Sequence, residues 1–473
     1  MFKYIVQRLI IFLPTLLAVS LVAFSLSKLA PGDPVELLVK GQSGESGQKA
    51  SVQAYEEVSR RLGLDLPVFY GALTTSAFPD TLHLVIKKSE RESLSNLISQ
   101  YGNWPQISDY YLSLKSLERE VAYFPVDTAI SLMRNTISRH VKDLLINNKD
   151  SRIAFALSEI KTIVSDSSSL NTLQPLATQV ADNYAKVKSE ATVFKNYIPS
   201  LNWYGFKNQY HHWITNFFKG DFGFSYLDSR PVGGKMWDAL RWTLIINFIS
   251  IILAYLIAIP IGVSTAVKKD GLYDRVVTTV LFILYSLPSF WIGTLLIVFF
   301  TTSEYSPWLN WFPTGGVTDL PSSTPFFTRA IDIMHHLALP IFCVTYGSFA
   351  FISRQMRGGM LTVIRQDYIR TAKAKGLEEK SIVWKHAFRN SLFPIITLFA
   401  YIFPAAIAGA VTIEVIYSIP GMGKLAVDSI VARDWPVVFT ILMFAAILTM
   451  IGNLVADLLY ALADPRVSYG NKK

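Results

Sequence analysis

The sequence predicts an all-α polytopic membrane protein with six transmembrane helices and an extracytoplasmic, mainly helical insert between the first and the second. Two observations support this prediction. Apolar residues make up 51% of the 473 residues, and six runs without Asp, Glu, Lys or Arg each reach the roughly 18 residues that a membrane-crossing helix needs. Because lipid offers no hydrogen-bond partners, the backbone of such runs must be helical. The runs are residues 9–27, 242–267, 276–303, 335–353, 390–413 and 435–456.

The first run follows the basic residues Lys3 and Arg8, as the apolar part of a secretory signal does. A signal's apolar part is usually about 7–15 residues long and ends at a cleavage site with small residues. This run is longer, and the "SKLAPGDP" that follows it is a poor cleavage site. We therefore expect residues 1–30 to contain a retained transmembrane helix.

Basic residues are unevenly distributed among the loops. Residues 354–389 contain nine basic and three acidic residues, whereas residues 304–334 contain one Arg and three acidic residues. Lys and Arg concentrate in the cytoplasmic loops of membrane proteins. We therefore expect the loops at 268–275 and 354–389 to face the cytoplasm. Both termini belong on the same side, as an even number of spans requires.

The net charge of +9 and the pI near 9.3 are also typical of nucleic-acid-binding proteins. Residues 31–239, however, contain 22 basic and 22 acidic residues, so the whole excess lies outside that region. The charge therefore reflects membrane topology, and we expect no nucleic-acid partner. The only cysteine, Cys343, lies within an apolar run, so the chain has no internal disulfide bond.

The sequence suggests four regions. They are a transmembrane helix at 1–30, an extracytoplasmic region at 31–239, a five-helix membrane core at 240–465 and a cytoplasmic tail at 466–473.

Within the extracytoplasmic region, residues 71–209 are polar, Ser-rich and helical in their periodicity. Leu114, Leu117, Val121 and Phe124 are spaced i, i+3, i+7 and i+10, which places them on one face of a helix. The alternation typical of strands is scarce. We therefore expect a small helical domain with a core of its own.

A basic segment, "YIRTAKAKGLEEKSIVWKHAFRN", joins the fourth and fifth apolar runs. Residues 368–375 and 378–389 favour helix on either side of a glycine, and Leu377, Trp384 and Phe388 are spaced to share one face. Such a helix pair with an apolar stripe fits a groove on a partner protein. It equally fits a layer of anionic headgroups, on which basic amphipathic helices lie. The residues by themselves leave both interpretations open.

The motifs of this segment resemble the cytoplasmic coupling loop of ABC importer membrane subunits, here residues 365–394. "RTAKAKGL" and the later "RNSLFP" are the stretches that are similar. Arg370, Thr371 and Ala372 stand where the family has a start near Glu-Ala-Ala. The distance from Gly376 to the end of the loop is longer than in sugar importers, and it matches the branch that transports dipeptides, oligopeptides and nickel.

Other stretches are similar to the same branch. They are "YIVQRLIIFLPTLLAVSLVAFSLSKLAPGDPV", "LGLDLPVFY", "GDFGFSY", "SLPSFWIG", "EVIYSIPGMGKLAVDSIVARDWPVV" and "NLVADLLYALADPR". The resemblance covers residues 1–70 and about 210–469, and the segment 71–209 lies outside it.

The resemblance implies the membrane-spanning permease subunit of an ATP-driven importer, which moves peptides across the bacterial inner membrane by alternating access. It implies four partners besides lipid, namely a second homologous permease subunit, two cytoplasmic ATPase subunits that bind ATP and Mg, and an extracytoplasmic solute-binding protein. The residues that it assigns to ATPase coupling are Arg370, Thr371, Ala372, Gly376, Leu377, Trp384 and Phe388.

The sequence contains no Ser-His-Asp, Cys-His or HExxH arrangement, so we predict no catalytic residue and no enzyme activity. "PGMGKLA" (residues 420–426) is similar to a phosphate-binding loop, but it lacks the first Gly and has Leu425 where Ser or Thr binds magnesium. The histidine pairs at 211–212 and 335–336 diverge by about 100° on a helix and seldom share one ion. We therefore expect neither a bound cofactor nor a metal on this chain.

Three polar residues lie in or beside the apolar runs. Glu414 ends the fifth run, and Asn247 and Asn453 lie within the second and sixth. An unpaired charge in a membrane is costly, so such residues are candidates for a pore or a gate. For Glu414 the alternative is a place at the wet outer boundary, and for the two asparagines it is hydrogen bonding between helices.

Two other functional classes compete with the importer. A secondary transporter needs a coupling-ion site of its own and no ATPase. A membrane receptor that senses a ligand through residues 31–239 needs a cytoplasmic output module, and the cytoplasmic stretches are too short for one.

Overall fold

The computed structural model describes residues 2–29, 52–123, 131–166, 168–304, 307–392 and 409–463 and the single positions 33, 35, 38, 394, 395 and 398. The chain forms two compact units. We call Met1–Ala30 together with Gly220–Lys473 the membrane unit, and Pro31–Lys219 the insert unit.

The chain begins with α1 (Phe2–Leu29) of the membrane unit and then enters the insert unit. The described part of the insert unit is mostly helical and contains two short strands. Its elements are α2 (Val52–Arg61), β1 (Gly71–Thr75), α3 (Lys88–Tyr101), α4 (Trp104–Tyr123), α5 (Ser131–Ile146), α6 (Asp150–Ser165), α7 (Gln174–Ser189), β2 (Pro199–Trp203) and α8 (Gln209–Phe218), with 3-10 turns at Leu82–Leu84, Ser168–Leu173 and Val193–Tyr197.

Helices α3 to α7 enclose an apolar core. The amphipathic helix predicted from the spacing of Leu114, Leu117 and Val121 is present as α4, and all three side chains are buried in that core. Phe124, the last residue of the series, lies outside the described residues. The helical periodicity of this segment therefore reflects a real core.

The prediction of an all-α chain is wrong in one detail, because β1 and β2 form an antiparallel two-stranded sheet. Gly71 lies opposite Trp203, and Thr75 lies opposite Pro199. Each strand is five residues long, and well over a hundred residues separate the two. Local alternation in such short strands is a weak signal, so the sequence pattern did not reveal them.

The rest of the membrane unit follows the insert unit in the chain. Its elements are α9 (Val232–Val267), α10 (Leu272–Ser286), α11 (Ser289–Phe300), α12 (Phe326–Ile364), α13 (Asp367–Ala374), α14 (residues 379–391), α15 (Val411–Ile416), α16 (Met422–Val431) and α17 (Trp435–Ala463), with a 3-10 turn at Pro307–Leu309.

Among the described residues, four helices are long and apolar enough to cross a membrane, and they lie in α1, α9, α12 and α17. The pair α10 and α11 makes a fifth candidate if it is counted as one broken span. The predicted run at 390–413 falls mostly outside the described residues. A total of six spans therefore stays a prediction.

The run at 276–303 was expected to be one helix, and this expectation is wrong. Its two halves, α10 and α11, meet at an angle of 90°. Leu287 between them has φ −85° and ψ 121°, which is extended backbone. Pro288 explains this conformation, because the proline ring clashes with a preceding residue in the helical region.

The long helices of the membrane unit are joined by close packing and by charge. Gly262 of α9 faces α12 so closely that a Cβ there would lie 2.5 Å from the carbonyl oxygen of Ser353. Small residues commonly allow such close approach between membrane helices. Arg8 of α1 forms a 2.9 Å ion pair with Asp457 of α17.

In the insert unit, Asp150 at the start of α6 collects three donors. Tyr101 donates to one carboxylate oxygen at 2.9 Å, Tyr184 donates to the same oxygen, and the Lys188 ammonium lies 2.8 Å from the other. The hydrogen bond from Lys188, followed by that from Tyr184, holds the pKa of Asp150 below its ordinary value of 3.8.

This lowered pKa predicts an acid-sensitive insert. A carboxylate whose pKa is lower in the folded state stabilises that state above the ordinary pKa, and the stabilisation is lost as the pH falls through the lowered value. We expect Asp150→Asn to remove this pH-dependent component, whereas Asp182→Asn, an exposed change on α7, should keep it. Amide-exchange protection of α6 and α7 in the full chain, followed between about pH 2 and pH 5, measures it. Identical acid profiles for Asp150→Asn and the unchanged chain would contradict the assignment.

Candidate functional site: a glycine-broken surface segment and a buried carboxylate

The segment after α12 forms two short helices around Gly376. Gly376 has φ +74° and open space around it, so its left-handed conformation ends α13 and turns the chain. Glu378 occupies the N-cap position of the next helix, α14, without a side-chain capping hydrogen bond, and Glu379 lies in the first turn, where a negative charge suits the helix dipole. The two helices predicted on either side of the glycine are therefore present.

Burial divides this segment into two sides. Ile369 and Ala372 of α13 are buried and pack with Ile382 and Ala387 of α14 in an apolar cluster of the membrane unit. The spacing of Ile369 and Ala372, three residues apart, puts both on one face of α13. Ala372, which was predicted to contact an ATPase, therefore belongs to the side that holds the segment to its own unit.

The opposite side of the segment is open to solvent. Arg370 and Thr371 are exposed on α13, Gly376 is exposed at the turn, and Leu377 is exposed directly after it. Four of the seven predicted coupling residues therefore lie together around the turn, on a surface that the described part of the chain leaves uncovered.

The remaining two predicted residues, Trp384 and Phe388, lie elsewhere. Their ring centroids lie 5.3 Å apart with the planes tilted by 55°, and both rings line an open apolar groove of about 500 Å³ beside α9, between Ile251 and Pro260. The helix contains a π-helical stretch at Ile382–Ala387, which alters the spacing of its side chains. Leu377 precedes the helix, so the predicted face shared by Leu377, Trp384 and Phe388 does not form.

The second feature is the carboxylate of Glu414, which is buried with 2% of its surface exposed. One oxygen, Oε1, accepts a hydrogen bond from the Thr243 hydroxyl at 2.8 Å. The other, Oε2, accepts from the backbone N–H groups of Gly423 at 2.7 Å and Lys424 at 3.1 Å. These two groups belong to the first turn of α16, so Glu414 caps that helix as an anion at its positive end.

Thr243 of α9 completes the arrangement. Its Oγ1 accepts from the N–H of Met422 at 2.8 Å while its hydroxyl donates to Glu414. Three helices, α9, α15 and α16, are therefore joined through one carboxylate and one hydroxyl. We call Thr243, Glu414 and the N–H groups of residues 422–424 the carboxylate clasp.

The glycines of the "PGMGKLA" stretch are explained by this clasp. A Cβ on Gly421 would lie 2.4 Å from the Glu414 carboxyl carbon, and one on Gly423 would lie 2.9 Å from Oε2. The stretch is similar to a phosphate loop because it presents N–H groups to an anion, and here the anion is a carboxylate of the same chain. Two glycines at a helix start, following a buried acid, are the sequence signal that identifies such a clasp.

The three predicted pore or gate residues do not share one environment. Glu414 is fully occupied in the clasp, and Asn247 is buried and donates to the Thr243 carbonyl of its own helix at 3.0 Å. Asn453 is exposed on α17. The bonding of Glu414 and Asn247 favours a structural role for both.

A further buried acid, Asp434, precedes α17, and the sequence pattern gave no indication of its partners. It is 1% exposed and accepts hydrogen bonds from the Ser225 hydroxyl at 2.5 Å and the Tyr226 N–H at 2.8 Å. The Lys235 ammonium lies 3.6 Å away. Asp434 therefore fixes the start of α17 to the chain that leads into α9.

The histidine pairs each divide between separate partners. His335 contacts the Trp311 carbonyl oxygen at 2.6 Å, and its neighbour His336 contacts the Asp332 carbonyl oxygen at 2.9 Å. His211 contacts the Tyr70 hydroxyl at 3.1 Å. Among the described residues, no group of three His, Cys, Asp or Glu side chains is arranged to hold a metal ion.

Comparison with known proteins connects this architecture to a family. The family described as binding-protein-dependent transport system inner membrane component matches residues 258–469, which lie outside the insert unit. The oligopeptide transport system permease protein AppB of Bacillus subtilis (strain 168) is 42% identical over 262 residues, which cover 55% of this chain and 80% of AppB. The di/tripeptide transport system permease protein DppB of Pseudomonas aeruginosa (strain UCBPP-PA14) is 35% identical over 275 residues, with the same two shares.

A solved structure of the inward-facing MetNI methionine ABC transporter covers 48% of this chain and 96% of its own, with 18% sequence identity and a TM-score of 0.38. The family match and the similarity to the two peptide permeases define the class as a membrane permease subunit of an ABC importer. The chain belongs to the family of binding-protein-dependent transport system inner membrane components. Its relatives are transport permeases and not enzymes.

The carboxylate clasp predicts a large cost for losing Glu414. Glu414→Ala leaves two N–H groups and one hydroxyl buried without their acceptor, so we expect a loss of about 3 kcal/mol or more. The thermal unfolding midpoint of the purified chain in detergent measures this loss. The matched control is Asp428→Ala on the same α16, which removes an exposed pair with Lys424 worth only about 0.3–0.5 kcal/mol. Equal losses in the two variants would show that Glu414 does not hold the helix.

Proposed function

We propose that this chain carries peptides across the cytoplasmic membrane by alternating access, driven by ATP hydrolysis on two separate ATPase subunits that bind Mg and ATP. A second homologous permease subunit and an extracytoplasmic solute-binding protein complete the transporter. The names of the similar permeases support peptides as the substrate class. The uncovered side of the segment around Gly376 is the single observation that supports docking of an ATPase.

The proposed docking surface consists of Arg370, Thr371, Gly376 and Leu377. These residues are exposed on α13 and on the turn that follows it, and the left-handed glycine sets the angle between α13 and α14. An apolar Leu377 beside a cationic Arg370 offers both an anchor for a groove and a charge for orientation. On the other side of α13, the buried Ala372 belongs to an apolar cluster against which the half-buried Phe388 also packs.

We propose that both termini and the segment around Gly376 lie in the cytoplasm and that the insert unit lies outside. Nine basic against three acidic residues at 354–389 support this orientation. It places the docking surface on the side where ATP is available.

Docking is tested by replacing a basic and an apolar residue of this surface by acidic residues. Arg370→Glu combined with Leu377→Asp puts two negative charges at its centre, and both positions are exposed, so the fold should tolerate them. We expect the ATPase subunits to bind at least about tenfold more weakly, because central anchors dominate such interfaces. Titration of fluorescent ATPase subunits onto the chain in nanodiscs measures the affinity.

The control for this test is Lys269→Glu, a charge reversal at an exposed position in the turn before α10. It should leave the affinity for the ATPase subunits unchanged. Undiminished binding by the double variant would contradict docking at Gly376.

We propose that the insert unit is a module attached to the transport core and not part of it. The sheet of β1 and β2 brings the two ends of its helical part side by side, with Thr74 opposite Ser200. The family match begins only at residue 258.

This arrangement allows a precise deletion. Replacing residues 75–199 by Asn-Gly connects Thr74 to Ser200 through a two-residue hairpin turn, which suits a pair of directly opposed antiparallel residues. We expect the shortened chain to insert into membranes and to bind the ATPase subunits as the full chain does, which membrane fractionation and co-purification measure. Loss of membrane insertion would contradict an independent module.

A further inference from the structure

Residues 353–360 of α12 form a junction at which three other parts of the membrane unit meet. This stretch lies about one to three turns before α12 ends, and the segment around Gly376 begins after that end. Met356 and Met360 within it are completely buried. Each of the three contacts is close enough to fix a position.

The first contact is with α9. A Cβ on Gly262 would lie 2.5 Å from the Ser353 carbonyl oxygen and 2.7 Å from the Met356 Cβ. The two helices therefore touch backbone to backbone, and interfaces packed this densely do not slide continuously.

The second contact is with the end of α14, on the segment that carries the docking surface. A Cβ on Gly359 would lie 2.9 Å from the Ser391 carbonyl oxygen. The Ser391 hydroxyl lies 2.9 Å from the Met360 sulfur. The segment is therefore anchored to α12 at both of its ends, by direct continuation at its start and by this contact at its finish.

The third contact is an ion pair with the start of α10. Arg357 donates from Nε to one Asp274 oxygen at 3.1 Å and from Nη2 to the other at 2.6 Å. The N–H of Asp270 and the hydroxyl of Thr278 also donate to this carboxylate, at 3.0 and 3.3 Å. Asp274 is 4% exposed, so this buried charge has all of its partners within the chain.

Such a pair contributes orientation more than stability. A buried ion pair is often no more stable than well-packed apolar residues of the same volume, because desolvation offsets the attraction. Two parallel hydrogen bonds between a guanidinium and a carboxylate, in contrast, fix both distance and angle. An apolar replacement would keep α10 in place but would lose this fixed angle.

We propose that Arg357 and Asp274 are positioning residues that make α10 move together with the segment around Gly376. This inference rests on the proposed docking of ATPase subunits at that segment. Movement of the docked ATPase subunits displaces α12 at residues 353–360, and the ion pair transmits this displacement to α10.

The bend at Pro288 is then the joint of the broken span. Helix α10 is held by Arg357 near the end of α12. Helix α11 packs nearer the middle of the same helix, in the cluster that contains Leu339 and Cys343, and the Tyr417 hydroxyl after α15 donates to its Gly293 carbonyl at 3.2 Å. We expect the angle between the two halves of the broken span to change at this bend during transport.

The first experiment replaces the pair by apolar residues, Arg357→Met with Asp274→Leu. The complete transporter in proteoliposomes should keep its thermal unfolding midpoint, its ATPase subunits and its basal ATP hydrolysis, while peptide moved per ATP falls at least about tenfold. The control is Arg8→Met with Asp457→Leu, which removes the ion pair between α1 and α17 and should leave this ratio unchanged. A wild-type ratio in the Arg357 and Asp274 variant would overturn the inference.

The second experiment measures motion without disturbing the pair. In a Cys343→Ala background, spin labels at Val276 of α10 and Lys380 of α14 should keep one distance with and without an ATP analogue. Labels at Phe299 of α11 and Lys380 should change theirs. A nucleotide-dependent distance between Val276 and Lys380 would overturn the inference even if the apolar variant fails to fold.

The two proposals fail in different ways. If ATPase subunits do not bind the unchanged chain, the docking proposal fails and the positioning pair fails with it. If the ATPase subunits bind and drive transport but the distance between the labels at Val276 and Lys380 changes with nucleotide, the docking proposal stands. Only the role of Arg357 and Asp274 is then refuted.

Discussion

The membrane unit depends on one constraint, which is that a charged side chain buried away from water needs hydrogen-bond or ionic partners within the chain. Three buried carboxylates meet this constraint in the same way, each by joining elements that are distant in sequence. Glu414 joins α15 and α16 to α9, Asp274 joins α10 to α12, and Asp434 joins the start of α17 to the chain before α9. Because an unpaired buried charge is so costly, each carboxylate permits few alternative arrangements of its helices.

The three acids use different donors, and the difference matches their surroundings. Glu414 takes two backbone N–H groups at a helix start together with the Thr243 hydroxyl, and glycines provide the space. Asp274 takes a guanidinium, which fixes an angle between two helices. The clasp therefore suits a fixed junction between α9, α15 and α16. The ion pair suits a junction between α10 and α12 that keeps its geometry while both helices move.

The sequence predicts local features such as helices and turns, but it does not predict contacts between residues that are far apart in the chain. Runs without charge indicate α1, α9, α12 and α17, and the glycine at 376 separates two helices as its position suggests. The partner of Glu414 on α9 lies 171 residues away, and no spacing rule connects the two. Pro288 was visible in the sequence, but whether a proline bends a helix slightly or breaks it depends on what packs around it. Likewise, Ala372 is buried because it packs in one apolar cluster with Ile382 and Ala387.

The sheet of β1 and β2 has a consequence for the chemistry of folding. It closes a loop on the order of 100 residues, for which exported domains often use a disulfide bond. The sequence has a single cysteine, and it is buried in α12. Hydrogen bonds between two strands close this loop instead, so its closure does not depend on the redox state of the surroundings.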